Sequence, residues 1–336
     1  MGEMKRVVAM GGGQRALPTL KAVLADNAVK VVAVIAMPGY PEEEIYCSKL
    51  KELSKKADIN FYAAQTITDP ISEKVTSLGA DAIIGIGVWR SILPSSFLGA
   101  TRLGFLAVHG TGLPKYRGWA GINWQIINGE KCIDMHAYRL ADGVDDGHLV
   151  LDKLTNLPFK AKISLNNDNH LSEIFAQYEI QHIKLVKSIL NALKNETIAF
   201  QEQENESATY GCHRGPEDAE INWSDDSLKV FNFIRAQSYP YQGAFTYFGN
   251  KRVAIHRTRI LREFKNYSGR IYGKVVRRDK ETGSVVVLTG DSALEILEVK
   301  VLYQGVWVQQ TPCDVFNTVR SKCKPRIEAY LDSIDF

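Results

Sequence analysis

Arg6 to Ala16 reads RVVAMGGGQRA. A short apolar run breaks into three glycines, and Leu17 to Leu24 continues as a helix. A brief continuous apolar run closed by a glycine turn is the pattern of a strand buried on both faces. The unit then recurs. VVAVIAM (Val31 to Met37) precedes a helical pattern over Glu42 to Ala57, with charges on one face. INFYAA (Ile59 to Ala64) precedes a helix near Ile71 to Leu78, and DAIIGIG (Asp81 to Gly87) and GFLAVH (Gly104 to His109) follow as strands. Such alternation predicts an α/β fold, a Rossmann-like and mostly parallel sheet with helices on both faces. MHAYRL (Met135 to Leu140) and HLVLDK (His148 to Lys153) form a later strand pair, and Asn169 to Leu193 reads as one long amphipathic helix.

GGGQRA, Gly11 to Ala16, also fits the G-x-G-x-x-A dinucleotide fingerprint. That fingerprint needs an acidic residue at the end of the second strand to hold ribose hydroxyls. Here the strand runs out through Ala36, Met37, Pro38 and Gly39. The glycines read instead as a turn that lets the first helix pack close to the sheet, with a helix start able to help bind a phosphate.

The character changes near residue 200. QEQENESATYGCHRGPEDAE (Gln201 to Glu220) reads as a linker or surface loop. A short helix (Ser227 to Gln237) and the strand-like runs AFTYF, RVAIHRTRI, GRIYGKVV, GSVVVLTG and LEILEVKVL follow. These predict a smaller β-barrel or sandwich, so residues 1–200 and 201–336 are taken as two domains. VLYQGVWV (Val301 to Val308) suits either the core or an interface strand of a homodimer.

The chain of 336 residues is long enough for two cores, with 45% hydrophobic and 24% charged residues. A net charge of +3, without a basic run, does not call for nucleic acid. The five cysteines form no CxxC pair, which argues against a disulfide framework or a zinc site. MGEMKRVVAMGGG is too short in its apolar part for a signal peptide, and no apolar run approaches the roughly 18 residues a membrane span needs. A cytoplasmic protein with no metal and no membrane partner is expected.

LAVHGTGLPKYRG, Leu106 to Gly118, holds the chemistry. His109 leaves a strand at its carboxyl end, where ligands gather in open α/β sheets. GVDDG (Gly143 to Gly147) sets Asp145 and Asp146 in a turn between two strands, and either can orient the histidine as a base–orienter pair requires. Lys115 and Arg117 beside it suit a phosphate or carboxylate. No serine or cysteine nucleophile stands nearby in sequence.

HGTGLPKYRGWAGINWQIINGE followed by GVDDG resembles the formyltransferase family that uses N10-formyltetrahydrofolate. That family's signature is Asn-x-His, then Ser or Thr, then Leu-Pro-x-x-Arg-Gly, then an Asp within Gly-x-Asp-x-Gly. His109, Thr111, Leu113, Pro114, Arg117, Gly118 and Asp145 match it. WRSILPSSFL (Trp89 to Leu98) resembles the family's folate-binding loop. ATYGCHRGPEDAEINW and the stretch from Asn232 to Ile260 resemble the C-terminal, OB-like domain of the subgroup that formylates nucleotide-linked amino sugars, including the UDP-4-amino-arabinose enzyme of lipopolysaccharide biosynthesis.

The resemblance implies transfer of formyl from N10-formyltetrahydrofolate to a sugar amine, with His109 as base and Asp145 orienting it. It implies pterin contacts from Trp89, Arg90, Ile92, Asp142, Gly143 and Val144, and sugar-nucleotide contacts from Thr111, Lys115, Arg117, Tyr210 and Arg214. His136 is expected near the site. One position departs: Ala107 stands where the family has the asparagine whose amide holds the formyl oxygen, and alanine has no donor. An engineered change, a natural site with another donor, and a chain that has lost turnover all fit. Other acceptors in the family (a hydroxyornithine, a carrier-bound amine, initiator tRNA) and a non-catalytic folate or nucleotide-sugar binder are the alternatives.

Overall fold

β1 (Lys5–Gly12) is a strand because both its faces are covered: Val7, Val8, Ala9 and Met10 have no accessible surface. In this computed structural model, residues 4–39, 44–166, 169–261, 263 and 267–333 are described. Glu42 and Glu43, at the expected start of the second helix, lie outside them. α1 (Ala16–Leu24) leads to β2 (Val29–Met37), α2 (Glu44–Lys56) to β3 (Asn60–Ala63), α3 (Asp69–Ser77) to β4 (Ala82–Gly85), and α4 (Ser95–Leu98) to β5 (Phe105–His109). The chain continues through β6 (Arg117–Gly118), α5 (Gly121–Ile127), β7 (Cys132–Arg139), β8 (Leu149–Asp152), β9 (Leu157–Pro158) and β10 (Lys160–Ser164). α6 (Leu171–Lys194), β11 (Ile198–Gln201) and β12 (Tyr210–Gly211) complete this half.

The ten-stranded sheet runs β11-β8-β7-β5-β4-β1-β2-β3, with β10 on β7 and β9 on β8. β1 to β5 pair in parallel, as the alternation predicts. From β5 onward the pairing turns antiparallel. β5 is thus the seam between the two halves, and its last residue is His109. One apolar cluster, with Val7, Leu20, Val34, Ile84, Leu106 and Ile189, fills one face; Val8, Met10, Ile35, Ile83, Phe97 and Phe105 fill the other.

Contacts divide the chain into two compact units. The first holds Met1–Gly118, Asp134–Ile163 and Gln177–Gly211; the second holds Trp119–Ile133, Ser164–Ala176 and Cys212–Phe336. The second unit contains α7 (Ser227–Arg235), capped by the Asp226 carboxylate, which accepts from the Lys229 amide at 2.8 Å. Its sheet comprises β13 (Ala244–Phe248), β14 (Lys251–Ile260), β15 (Val275–Arg278), β16 (Val285–Leu288), β17 (Ala293–Tyr303) and β18 (Val306–Gln310). The order is β13-β14-β17-β16-β15 with β18 on β17, and every pairing is antiparallel. Trp223, Phe231, Phe248, Phe316 and the inward valines of β16 pack its core. α8 (Pro312–Val315) and α9 (Arg326–Ser333) follow.

Two expectations change. VLYQGVWV is not one strand: Gln304 and Gly305 take φ of 48° and 83°, and the segment is a hairpin tip joining β17 to β18. Two successive positive φ values are what a tight type I′ hairpin turn demands. GRIYGKVV is strand only in its last part, because β15 begins at Val275. Cys47, Cys132, Cys212, Cys313 and Cys323 are all free thiols. Among the described residues, no helix is long and apolar enough to cross a membrane, and no cluster of three metal-ligating side chains occurs.

Candidate active site

The site is assembled in the first unit around the end of β5. His109 is half-buried between two acceptors: its Nε2 lies 3.1 Å from the Tyr116 carbonyl, and its Nδ1 lies 3.6 Å from Oδ2 of Asp145. The second separation is an ion-pair distance, longer than a hydrogen bond.

Asp145 is the better-held partner. The Gly118 amide donates to its Oδ2 at 2.7 Å, and the Tyr138 hydroxyl donates to its Oδ1 at 2.6 Å. Burial first, and the negative Asp145 second, hold the Tyr138 hydroxyl well above its ordinary pKa, so it stays a proton donor. The Tyr138 ring also meets His109 edge-on, centroids 5.9 Å apart. Asp145 has φ of 50°, the left-handed region, a strain of about 1 kcal/mol or more for a residue with a side chain. Asp146 does not face the histidine in this way; its carboxylate folds over Gly143. Gly147 must be glycine for packing: a Cβ there would sit 1.8 Å from the Arg139 carbonyl.

Gln203 holds this turn from behind. Its Nε2 donates to the Asp145 carbonyl at 2.9 Å and to the Gly147 carbonyl at 2.6 Å. Its Oε1 accepts from Nε and Nη2 of Arg117 at 3.1 and 2.9 Å. Arg117 is only 2% exposed and also donates to Asn205 and to the Tyr210 hydroxyl. Its donors are therefore directed at protein acceptors. β6 and β12 pair in parallel, Arg117 with Tyr210 and Gly118 with Gly211. The stretch from Gln201 to Gly211, expected as linker, is thus partly built into the site.

Ala107 sits one turn of the pleat below His109 and pairs across the ladder with Tyr138. Directly opposed residues in an antiparallel pair project from the same face. His136 pairs with His109 itself, and its Nδ1 lies 3.1 Å from the Leu113 carbonyl. Burial is the main cause that lowers the His136 pKa. Thr111 is fully buried and donates to the Lys115 carbonyl at 2.8 Å, bracing the loop; the Lys115 side chain is exposed.

The residues expected to meet the pterin lie on two neighbouring loops, joined where the Ser95 hydroxyl donates to Asp142 at 3.1 Å. Ile92 and Val144 are exposed at 90% and 57%, large apolar surfaces without cover. Gly143 lies between Asp142 and Val144 on the exposed loop, and Arg90 is half-buried. Trp89 packs against the core below, and its buried indole N–H has no hydrogen-bond partner. Tyr210 is 63% exposed. Arg214 belongs to the second unit, where its guanidinium lies over Trp124 and Phe233 and donates to the Asp218 carbonyl and Gln237. Burial lowers its pKa.

Sequence reasoning missed Tyr138 and Gln203. Neither carries a local signal: Tyr138 is brought in by the antiparallel register of β5 with β7, and Gln203 by contacts distant in sequence.

The chain is similar to known proteins over most of its length. The chain is 27% identical over 300 residues to the methionyl-tRNA formyltransferase of Caldanaerobacter subterraneus, covering 88% of this chain and 92% of that one. Among solved structures, WlaRD, a sugar 3N-formyl transferase with dTDP and 5-N-formyl-THF, superposes with a TM-score of 0.65. It shares 17% identity and covers 88% of this chain and 97% of its own. An N-formyltransferase from Helicobacter canadensis, with folinic acid and dTDP-3-aminofucose, gives a TM-score of 0.64 at 18% identity, covering 88% and 99%. Residues 4–167 match the family described as formyl transferase, and residues 215–303 match the formyl transferase C-terminal domain. With His109 and Asp145 inside the first match and β13 to β17 inside the second, the chain belongs to the formyl transferase family, a family of enzymes.

Proposed function

We propose that this chain moves a formyl group from N10-formyltetrahydrofolate to the amine of a nucleotide-linked amino sugar. The observation that carries the reading is His109 at the sheet seam, backed by an Asp145 that is itself held by Gly118 and Tyr138. In the reaction, the amine nitrogen bonds to the formyl carbon, the bond from that carbon to N10 breaks, and one proton passes from the amine to N10. His109 carries that proton, and Asp145 orients and polarises the ring. The Tyr116 carbonyl engages Nε2 in the free chain, so the acceptor amine must displace it to reach the ring. Ile92 and Val144 supply apolar cover for the pterin, beside Trp89, Arg90, Asp142 and Gly143. Lys115 and Tyr210, both exposed, are the sugar-nucleotide contacts of this unit. The first compact unit, which includes Gln177–Gly211, acts as the catalytic part, and the second acts as a substrate-binding part whose antiparallel sheet is the family's OB-like barrel.

Position 107 has no oxyanion donor. Loss of one such donor typically costs about 10²–10³ in rate, so turnover is slow rather than abolished.

A second reading takes methionyl-tRNA as the acceptor, because the sequence relative named above is an enzyme of that kind. One assay separates the two. Tetrahydrofolate release from N10-formyltetrahydrofolate is followed with UDP- and dTDP-linked amino sugars and, in parallel, with methionyl-tRNA. Release with a sugar nucleotide and none with the tRNA supports the proposal; the reverse pattern overturns it in favour of the tRNA.

A further inference from the structure

We propose that Gln203 is a positioning residue for the reacting pair: its amide fixes the turn that carries Asp145, and Arg117 fixes the amide. This rests on the reading of His109 and Asp145 above. Gln203 is 7% exposed, and its side chain is fully used. Both amide hydrogens go to carbonyls, of Asp145 and Gly147, and the amide oxygen takes two guanidinium N–H groups. Only one amide orientation works. Turned over, it would face its oxygen to two carbonyls that cannot donate and its NH₂ to a guanidinium that cannot accept. Arg117 therefore sets the direction in which Gln203 pulls.

What is held is the strained part of the site. Asp145 is left-handed, and its carboxylate stays 3.6 Å from His109 only while that backbone is kept. The same strap is tied at its other end. The Arg117 amide donates to the Thr209 carbonyl at 2.9 Å, the Tyr116 amide donates to the Thr209 hydroxyl at 2.9 Å, and β12 lies on β6. Tyr116 is the residue whose carbonyl meets the other nitrogen of His109. The segment from Gln203 to Gly211 thus supports both neighbours of the histidine ring.

The test compares Gln203→Glu, Gln203→Ala and Asp145→Asn with the parent chain, and with Glu206→Gln, an exposed change in the same segment, as control. Glutamate keeps the shape and gains an ion pair with Arg117, but it turns oxygen lone pairs toward two carbonyls. It separates holding the fold from holding the turn. Histidine ring ¹⁵N resonances are read on the free full-length protein, with His109 assigned by its loss in His109→Gln. Thermal melting of each variant is recorded alongside. The expected result is that both Gln203 variants shift the His109 resonances in the direction Asp145→Asn does, that Gln203→Glu melts near the parent temperature, and that Glu206→Gln shifts nothing. With the acceptor that supports turnover, kcat of Gln203→Glu falls about 10²-fold, the scale of an ångström of misplacement, while KM holds. If Asp145→Asn shifts the resonances and both Gln203 variants leave them in place, the proposal is wrong and the His109–Asp145 pair stands. If Asp145→Asn itself shifts nothing, the pair is wrong, and this proposal falls with it.

Discussion

Replacing Tyr138 by phenylalanine removes one oxygen from a buried contact of 2.6 Å to a carboxylate. A hydrogen bond to a charged group contributes about 1.5–3 kcal/mol, and the ring itself stays in place, so a loss of about 2 kcal/mol near neutral pH is expected. The pH dependence is more telling. The folded pKa of Tyr138 is raised well above 10 by burial and by Asp145. Its stabilising contribution is therefore complete below the unfolded pKa, near 10, and is lost as pH rises through the folded value. Above about pH 10 the unfolded chain releases this proton and the folded chain keeps it, so the parent loses about 1.4 kcal/mol per pH unit at this group. Tyr138→Phe has no such proton. The stability gap between parent and variant, about 2 kcal/mol at pH 8, should narrow by more than half at pH 11. Urea unfolding at both pH values measures it, and all other alkaline titrations cancel in the difference. A gap of constant size from pH 8 to pH 11 would refute the coupling of Tyr138 to Asp145.

His182 tests the opposite limb: burial lowers its pKa to about 3, so as pH falls below about 6.5 the unfolded chain takes up a proton that the folded chain cannot. His182→Gln should flatten the acid limb of stability by about 1.4 kcal/mol per pH unit between pH 6 and 4.5, read by urea midpoints; parallel curves would count against it. Gly147→Ala places a Cβ 1.8 Å from a backbone carbonyl and is expected to cost about 3 kcal/mol, with an unchanged urea midpoint as the contrary outcome. Ala107→Asn restores an amide donor at the seam and should raise kcat about 10²-fold on the productive acceptor. An unchanged rate there would mean that another group already serves the developing oxyanion.

The repeating strand–helix pattern from Arg6 to Val108 is local, because a strand buried on both faces must be apolar throughout. The parallel half of the sheet could therefore be read from composition along the chain. The same holds for His109, which a strand end and a glycine turn place at the carboxyl edge, and for the Gly143–Gly147 turn. Which aspartate faces the ring was a matter of spacing in the sequence and of backbone in the structure: φ of 50° at Asp145 turns that carboxylate toward Nδ1. The sequence by itself could not show where Arg117 points. Beside a histidine it suggests an anion site, yet closure of the fold brings Gln203, eighty-six positions on, against its guanidinium and buries it. A buried cation and a buried amide must each find partners, and those partners are chosen by three-dimensional proximity, which periodicity does not encode. Tyr138 reached the site in the same way, by the antiparallel register of β5 with β7. Local chemistry thus named the candidate residues His109 and Asp145, and the tertiary structure decided what holds them.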